Sequence, residues 1–313
     1  MRPQLIDGFL LVLTFALGAL LSRVSLCAVA AVQQFIIGRD LAGLNRLLLA
    51  AGGAGLMLLL LAGLAPDHVL LPARAPLHSG VFIGGLLLGL GALINGGCYL
   101  GSVLYLGTGN LNFLFTLAGI ALGLHETASI LTGTVSTETG LRMSMGAEWL
   151  SGVVGFAALI LIAMRTQRLA QRWMVLSLGL LAGIVYARHP GWSYGALLQS
   201  LLQGQSGLMH WRDNLAALLL FAGAVIGALL AGHLRWQRPT VRRSLRCAAG
   251  GFIMGCGAAL VPGGNDTLLL WAIPGLTVNG ALAFAVMLAV IAAGFALAAR
   301  GPGSATAEPT PAK

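Results

Sequence analysis

Two of the four cysteines in this sequence follow abrupt breaks in apolar runs. Cys98 comes directly after the pair Gly96 and Gly97, and Cys27 comes four residues after Arg23. A thiol is a polarizable, weak hydrogen-bond donor, which suits a soft partner such as sulfur. None of the cysteines forms a CxxC pair, so the spacing predicts neither a zinc site nor a disulfide framework. We therefore interpret Cys27 and Cys98 as contacts for a small sulfur-bearing molecule or anion.

A second break is followed by oxygen- and nitrogen-bearing side chains instead of a thiol. Gly263 and Gly264 precede Asn265 and Asp266. A helix that starts after such a break presents unpaired N–H groups and partial positive charge, both of which favour an anion. The sequence leaves two interpretations of Asp266 open. It caps the helix that follows, or it belongs to a transport path, where an ionised and unpaired carboxylate would repel an anion.

Further candidates have equally plausible structural explanations. Arg23 and Arg188 stand between a long apolar segment and a short one, where either anion attraction or snorkelling to the interface explains them. Packing in a glycine-rich segment accounts well for Cys256. No metal site or cofactor is predicted. The candidate pathway residues are Cys27, Cys98, Gly96, Gly97, Gly101, Gly263, Gly264, Asn265, Asp266, Arg23, Arg188 and Cys256.

The composition shows what kind of protein must position these residues. Only 9% of the side chains are charged and 58% are hydrophobic, whereas a soluble domain is about 25% charged. Apolar runs of about 20 residues recur without strand-like alternation. The composition therefore excludes a soluble enzyme, a nucleic-acid binder and a secreted module, and it predicts an all-α polytopic protein in contact with membrane lipid. The 45 glycines indicate close helix packing and broken helices.

The hydrophobic pattern predicts about nine membrane-crossing segments and four shorter ones. The shorter segments are too short to cross comfortably, and each follows a break, so they are interpreted as re-entrant or half-helices. The crossing segments are 4–22, 43–64, 78–95, 110–125, 147–165, 172–188, 213–232, 243–261 and 278–300, and the short ones are 24–37, 98–107, 191–203 and 265–275.

Arginine distribution predicts the orientation. The segments 165–172 and 233–246 are rich in Arg and lack acidic residues, so both should be cytoplasmic. With segments 172–188 and 191–203 making one crossing, the N-terminus lies outside and the C-terminus inside. We read the net charge of +9 as this topology rather than as a nucleic-acid surface. The Pro- and Ala-rich tail 301–313 is expected to be disordered and cytoplasmic.

The chain also repeats itself. GGLLLGLGALINGG at 84–97 matches GGFIMGCGAALVPGG at 250–264, and Gly18, Arg23 and Cys27 fall opposite Gly183, Arg188 and Trp192 at an offset of 165. An odd crossing between the copies makes the second repeat inverted, an arrangement in which broken helices form a substrate site near the midplane. The predicted units are a first repeat at 1–125, an external loop, linking helix and cytoplasmic Arg loop at 126–171, a second repeat at 172–300, and the tail.

At three stretches the sequence resembles the YeeE/YedE family of bacterial sulfur-compound transporters. They are SRVSLCAVA at 22–30, GALINGGCYLGS at 91–102 and GGFIMGCGAALVPGGND at 250–266. The resemblance implies a nine-helix inner-membrane protein with an hourglass of inward-dipping segments. It also implies uptake of thiosulfate or a related species, which central cysteines pass along, and a cytosolic sulfurtransferase as a possible partner. Cys27 and Cys98 match two of those cysteines.

The sequence departs from the family in the second repeat. Gly264 stands where the family often has a cysteine before Asn265, and Cys256 lies eight residues earlier. Other sulfur or selenium species, a small-anion channel, and a membrane sulfur carrier with a persulfide on Cys98 remain alternatives. An enzyme is not expected, because no His or Asp lies in line to activate Cys98 and no nucleotide-binding motif is present. Few charges lie deep in the apolar segments, so no proton relay is evident. The expected uptake path is passive or proton-independent, and its driving force is left open.

Overall fold

The computed structural model describes residues 3–72, 77–130, 146–165, 169–190, 197–198, 211–261 and 263–300. Over these residues the chain is helical and forms no β-strand longer than one isolated bridge, between Asn110 and Gln237. The helices are α1 Pro3–Arg23, α2 Ala28–Gly38, α3 Ala42–Leu64, α4 Ser79–Asn95, α5 Tyr99–Gly107, α6 Phe113–Ile130, α7 Ala147–Met164, α8 Leu169–Arg188, α9 Trp211–Leu230, α10 Val241–Leu260, α11 Asn265–Ala272 and α12 Val278–Arg300.

Several of these helices are long and apolar enough to cross a membrane. Five stretches qualify in the described part of the chain, and a sixth does if α10 and α11 form one span bent by 49°. The apolar helices Phe113–Thr127 and Asn214–Leu230 are somewhat shorter. The protein is therefore a multi-pass membrane protein, as predicted, while the number of nine crossings stays a prediction.

Most predicted boundaries agree with the helices to within a few residues, and α6 differs most. The sequence predicted a crossing at 110–125 and a loop from residue 126, whereas α6 begins at Phe113 and continues to Ile130. Its start is delayed because the turn before it bonds to the α9–α10 connection, with Leu111 N–H donating to the carbonyl of Gln237. The predicted short segment 191–203, apart from 197–198, and the tail lie outside the described residues.

Glycines set the closest helix contacts. Gly223 on α9 lies against Phe15 and Ala19 on α1, and Gly227 lies against Ala19 and Ser22. These contacts advance in the same direction along both helices, so α1 and α9 run parallel. Small residues allow membrane helices to approach until their backbones touch, which maximises van der Waals packing where no hydrophobic driving force exists.

The helices α3 and α8 pack in the same way. Gly179 lies against Ala50 and Gly53, and Gly183 lies against Ala54 and Met57. These two helices also run parallel. The helix α7 packs on the other side of α3, where the ring of Phe156 lies over Gly55.

The two copies of the glycine-rich motif pack on each other. Gly84 on α4 lies against Gly257 on α10, and Gly91 lies against Gly250, so α4 and α10 run antiparallel. The other helical glycines of the two motifs face outward from this pair. Gly85 and Gly89 contact α12, whereas Gly251 and Gly255 contact α6.

Three short helices begin inside this bundle. The N-cap residues are Cys27 for α2, Cys98 for α5 and Gly264 for α11, and all three have extended backbone. The helix α5 packs against α6 and α9, and α11 packs against α3, α8 and α12. Broken backbone at membrane depth needs such protein surroundings, because lipid offers no hydrogen-bond partners.

Candidate functional site

The fold brings together two cysteines that are 71 residues apart. The sulfur atoms of Cys98 and Cys27 lie 3.6 Å from each other, within hydrogen-bonding distance for thiols. Their side chains are 1% and 3% exposed, respectively. The backbone N–H of Gly101 donates to the Cys98 sulfur over 3.4 Å. The structure therefore contains a buried pair of thiols where two short helices begin.

Gly101 makes this approach of the two thiols possible. A Cβ atom at residue 101 would lie 2.8 Å from the Cys27 sulfur and 3.3 Å from the Cys98 sulfur. Both distances are shorter than ordinary van der Waals contacts. An alanine at residue 101 would therefore displace at least the Cys27 thiol.

Both thiols sit at helix N-termini. The carbonyl of Cys27 accepts the first bond of α2 from Ala31, and the carbonyl of Cys98 accepts the first bond of α5 from Ser102. The first N–H groups of a helix have no partner within it, and the helix dipole adds partial positive charge there. The space around the thiols therefore suits a negative charge better than the apolar composition of the helices suggests.

Asn95 fixes the conformation of the first glycine-rich break, which is formed by Gly96 and Gly97. Its amide nitrogen donates to the carbonyl of Gly97 over 2.7 Å and to the hydroxyl of Ser102 over 2.8 Å. Its amide oxygen accepts from Thr116 over 2.7 Å. From the sequence, Asn95 could either line a path or satisfy broken backbone. The structure shows that it satisfies the break and fixes the start of α5.

An arginine and two aromatic rings lie beside the first break. The rings of Tyr105 and Phe113 stack with centroids 4.9 Å apart, and the Arg243 guanidinium lies 5.5 Å from the Phe113 centroid. Tyr105 also lies close to Cys27. Gly96, at a φ of 73°, turns the chain beneath Arg243. The sequence did not predict this cluster of Arg243, Tyr105 and Phe113, because Arg243 is one of several arginines in the predicted cytoplasmic loop 233–246.

The second break copies the backbone of the first. The N-cap φ and ψ angles are −74° and −179° at Gly264, compared with −75° and 175° at Cys98. The sequence placed Gly264 opposite a cysteine position, and its backbone agrees with that placement. A Cβ there would lie 2.8 Å from the Tyr99 ring and 2.6 Å from an Asp266 oxygen. A cysteine at residue 264 would therefore have to displace the Asp266 carboxylate and the Tyr99 ring.

The two breaks are joined directly. Leu100, in the first turn of α5, donates its N–H to the side-chain oxygen of Asn265 over 3.1 Å. The first turns of α5 and α11 thus touch. The helix α11 begins at Asn265, and Asp266 makes no capping hydrogen bond, so the interpretation of Asp266 as the cap of a helix starting at residue 267 is wrong.

The remaining candidates lie elsewhere. Arg23 ends α1 with an exposed side chain, and Arg188 donates to the carbonyl of His68 over 3.3 Å. Cys256 is partly exposed on the face of α10 that packs against Gly123 of α6. Gly263 turns the second break at a φ of 92°. Across the described residues, no three His, Cys, Asp or Glu side chains form a metal-binding group.

This arrangement defines a polytopic membrane protein with broken helices that meet at a buried thiol pair. Comparison with known proteins then gives the family. The family model described as sulphur transport matches the chain twice, at residues 23–180 and 150–293. The chain belongs to this sulphur transport family, which confirms the resemblance to YeeE/YedE transporters.

A curated relative agrees with the family. The chain is 26% identical to the thiosulfate transporter TsuA of Spirochaeta thermophila over 312 positions, which cover 87% of this chain and 93% of the relative. The family and the relative together support transport of a sulfur compound.

Proposed function

We propose that this protein takes up thiosulfate, or a closely related sulfur anion, across the bacterial inner membrane past the thiols of Cys27 and Cys98. The observation that carries the proposal is the buried pair of sulfur atoms 3.6 Å apart at two helix N-termini. The name of the relative supports thiosulfate as the substrate.

The chemistry of the pair fits such an anion. Moving a bare ion into a low-dielectric interior costs on the order of tens of kcal/mol unless polar partners replace water. Thiosulfate has a soft terminal sulfur and three oxygen atoms. Thiol S–H groups can meet the soft end, and the N–H groups of the first turns of α2 and α5 can meet the oxygens. Because the two thiols are in contact, the anion could pass from one hydrogen-bond donor to the next without losing its polar partners.

Arg243 and its two aromatic neighbours are proposed to form the entrance on the cytoplasmic side. Arg243 belongs to the Arg-rich segment that the positive-inside rule places in the cytoplasm. Its position over Phe113, and the contact of Tyr105 with both Phe113 and Cys27, connect that segment with the thiol pair.

Helix packing supports two inverted repeats as the frame of this path. The motif helices α4 and α10 run antiparallel, as equivalent helices in opposite orientations must. The pair α1 and α9 corresponds to the pair α8 and α3, and both pairs are parallel. The family model also matches the chain twice. We extend this to nine crossings with the N-terminus outside, since every observed helix direction is compatible with that alternation.

The membrane potential opposes the inward movement of an anion. Moving one charge against 100 mV costs about 2.3 kcal/mol, so inward movement of a dianion costs about 4.6 kcal/mol per 100 mV. Uptake therefore needs either rapid consumption inside the cell or a coupled cation. A cytosolic sulfurtransferase that accepts the sulfur is the proposed partner for the first of these.

Uptake of radiolabelled thiosulfate into liposomes that hold the purified protein tests the proposal. We expect wild-type uptake above empty liposomes and a loss of about 10- to 100-fold in Cys98→Ala and in Cys27→Ala, the range for losing a hydrogen bond to a charged group. Cys247→Ala is the matched control, because Cys247 is equally buried but lies on α10.

Other outcomes would point to different functions. Absence of thiosulfate uptake by folded wild-type protein would rule out this substrate and direct the same assay to sulfide, persulfides and selenium compounds. Normal uptake in Cys98→Ser would indicate a small-anion channel that does not depend on sulfur. A gain of one sulfur in the mass of Cys98 would indicate a persulfide carrier.

A further inference from the structure

Three consecutive residues at the second break bury polar atoms without partners. Asn265, Asp266 and Thr267 are 1%, 0% and 4% exposed. Within the described part of the chain, no hydrogen-bond partner meets either carboxylate oxygen of Asp266, the amide nitrogen of Asn265 or the hydroxyl of Thr267. Buried polar groups are normally paired, so this cluster needs an explanation.

No charged side chain neutralises Asp266 in the described structure. The titratable side chains facing this segment are Tyr99 from α5, whose ring lies against Gly264, and Tyr186 from α8, which stacks on Trp271. The charged residues of the helices packed against α11 lie toward helix ends, and two of them bond elsewhere. They are Arg46 on α3, which bonds to Gln34, Arg188 on α8, which bonds to His68, Arg172 on α8 and Arg300 on α12.

A fully buried carboxylate without a counter-charge must acquire a cation. The few oxygen atoms around Asp266 that could act as ligands favour a proton over a metal cation. Leaving such a group ionised in a low-dielectric interior is very costly. A sodium ion would require a shell of several oxygen atoms. Of the four unpartnered atoms, only the two of Asp266 and the one of Thr267 are oxygens. One proton neutralises the carboxyl group without further ligands.

The position of Asp266 connects this carboxyl group with the thiol site. Its oxygen lies beside Gly264 together with the ring of Tyr99, which directly follows Cys98 in the chain. Leu100, one residue further, bonds to Asn265. A change in the charge of Asp266 would therefore act on the first turn of α5, where Cys98 is the N-cap.

The helix behind Asp266 has an unusual geometry. Leu268–Ala272 forms a π-helix, in which Ile273 donates its N–H to the carbonyl of Leu268 over 3.0 Å. Single π-helical turns within helices are often found at functional sites. This widened turn directly follows the three residues with unpartnered polar atoms, whereas α5 is a regular α-helix.

We propose that Asp266 is a proton-binding site, and that the protein carries a proton on Asp266 together with each sulfur anion. This inference rests on the proposed function. The proton lowers the translocated charge of a dianion by one and removes the repulsion between the carboxylate and the anion. The proton binds to one carboxylate oxygen outside and leaves it inside, so no bond other than O–H forms or breaks.

The test uses liposomes that hold the full-length protein, with the membrane potential clamped by potassium and valinomycin. Thiosulfate stays a dianion near neutral pH, so a pH gradient acts through the protein. With the outside one pH unit more acidic, we expect wild-type protein to accumulate about tenfold more thiosulfate at equilibrium, the factor for one coupled proton. Asp266→Asn should still equilibrate thiosulfate, with accumulation that changes less than about twofold with the gradient.

Asp67→Asn is the matched control, because Asp67 is exposed in the turn Pro66–His68 after α3, and it should behave as wild type. Asp266→Glu, which keeps a carboxyl group, should retain the response to pH. If Asp266→Asn does not fold, lumenal acidification of wild-type and Asp266→Glu liposomes upon thiosulfate addition, read with a pH-sensitive dye, replaces it.

Three results would overturn the proposal while the proposed function stands. They are wild-type accumulation that ignores the pH gradient, accumulation driven by a sodium gradient instead, and an undiminished pH response in folded Asp266→Asn. Absence of thiosulfate uptake under every gradient would overturn the proposed function itself, and proton coupling of thiosulfate with it.

Discussion

The two glycine-rich breaks begin short helices with nearly the same backbone angles, but their side chains differ in chemistry. At the first break, Asn95 satisfies the polar groups around Gly97, and two soft thiols lie in contact. At the second break, Gly264 stands in place of the thiol, and the oxygen atoms of Asp266 and Thr267 are buried without hydrogen-bond partners among the described residues. The same turn thus presents a sulfur donor in one half of the molecule and a carboxyl group in the other.

The difference shows that the same backbone turn can carry two kinds of side-chain chemistry. The break fixes only where a helix begins and where its N–H groups point. The residue at the N-cap and the two that follow decide which chemistry is placed there. We therefore treat the first break as a rigid anion contact and the second as a site where charge can change, and the following predictions test this contrast.

The largest effect is expected from oxidation of the thiol pair. The sulfur atoms lie 3.6 Å apart, and a disulfide needs about 2.05 Å. We expect the small oxidant diamide to join Cys27 and Cys98, to reduce thiosulfate uptake to the level of empty liposomes, and to be reversed by dithiothreitol. Mass spectrometry should find the cross-linked peptides in wild type and in Cys247→Ala. Unchanged uptake in cross-linked protein would show that the pair does not lie on the path.

A loss of stability is expected when the first break loses its central amide. Asn95→Ala leaves the carbonyl of Gly97 and the hydroxyls of Ser102 and Thr116 without this partner. The Ser102 hydroxyl keeps its hydrogen bond to the carbonyl of Cys98, so two buried groups lose their partner. At about 1–2 kcal/mol for each of them, the free energy of unfolding should fall by about 2–4 kcal/mol. A thermal melt in detergent measures it. Ser151→Ala is the control, because the exposed Ser151 hydroxyl donates to the carbonyl of Glu148 in its own helix, and it should change stability by less than about 1 kcal/mol.

Two matched threonine substitutions compare the breaks directly. Thr116→Val removes a buried donor to Asn95 and should destabilise the protein by about 1–2 kcal/mol. Thr267→Val removes a buried hydroxyl that has no partner in the described structure, so it should be neutral or stabilising by about 1 kcal/mol. The same melting assay applies to both. Equal losses from the two changes would contradict the view that only the first break is satisfied.

The smallest effect is expected at the entrance beside the first break. Arg243→Gln removes a cation that lies over Phe113. Attraction between this partly exposed cation and the incoming anion is worth about 0.2–1 kcal/mol, so its loss should raise the half-saturating thiosulfate concentration by up to about fivefold. Uptake kinetics measure this change, and Arg242→Gln, an exposed neighbour, is the control. An equal rise in both variants would show only a general effect of surface charge.

Much of the fold could be predicted from the sequence because its signals are local. Apolar length and glycine pairs located the helices and both breaks, and Cys98 was expected at the start of a short helix, where the structure has it. The start of α6 was predicted too early, because it depends on hydrogen bonds to a segment more than a hundred residues later, such as that between Asn110 and Gln237. The capping role considered for Asp266 was wrong, since α11 begins two residues earlier than residue 267.

The sequence by itself determined the membrane class, the glycine-rich motifs and the position of each thiol along the chain, because hydrophobicity and helix breaking act over a few residues. Only the tertiary structure decided that Cys27 meets Cys98, that Arg243 lies over Phe113, and that Asp266 is buried with no partner in the part of the chain that is described. These contacts depend on which glycine faces pack together, as Gly84 does with Gly257. Such pairing is a property of close packing between distant segments, and no local pattern encodes it.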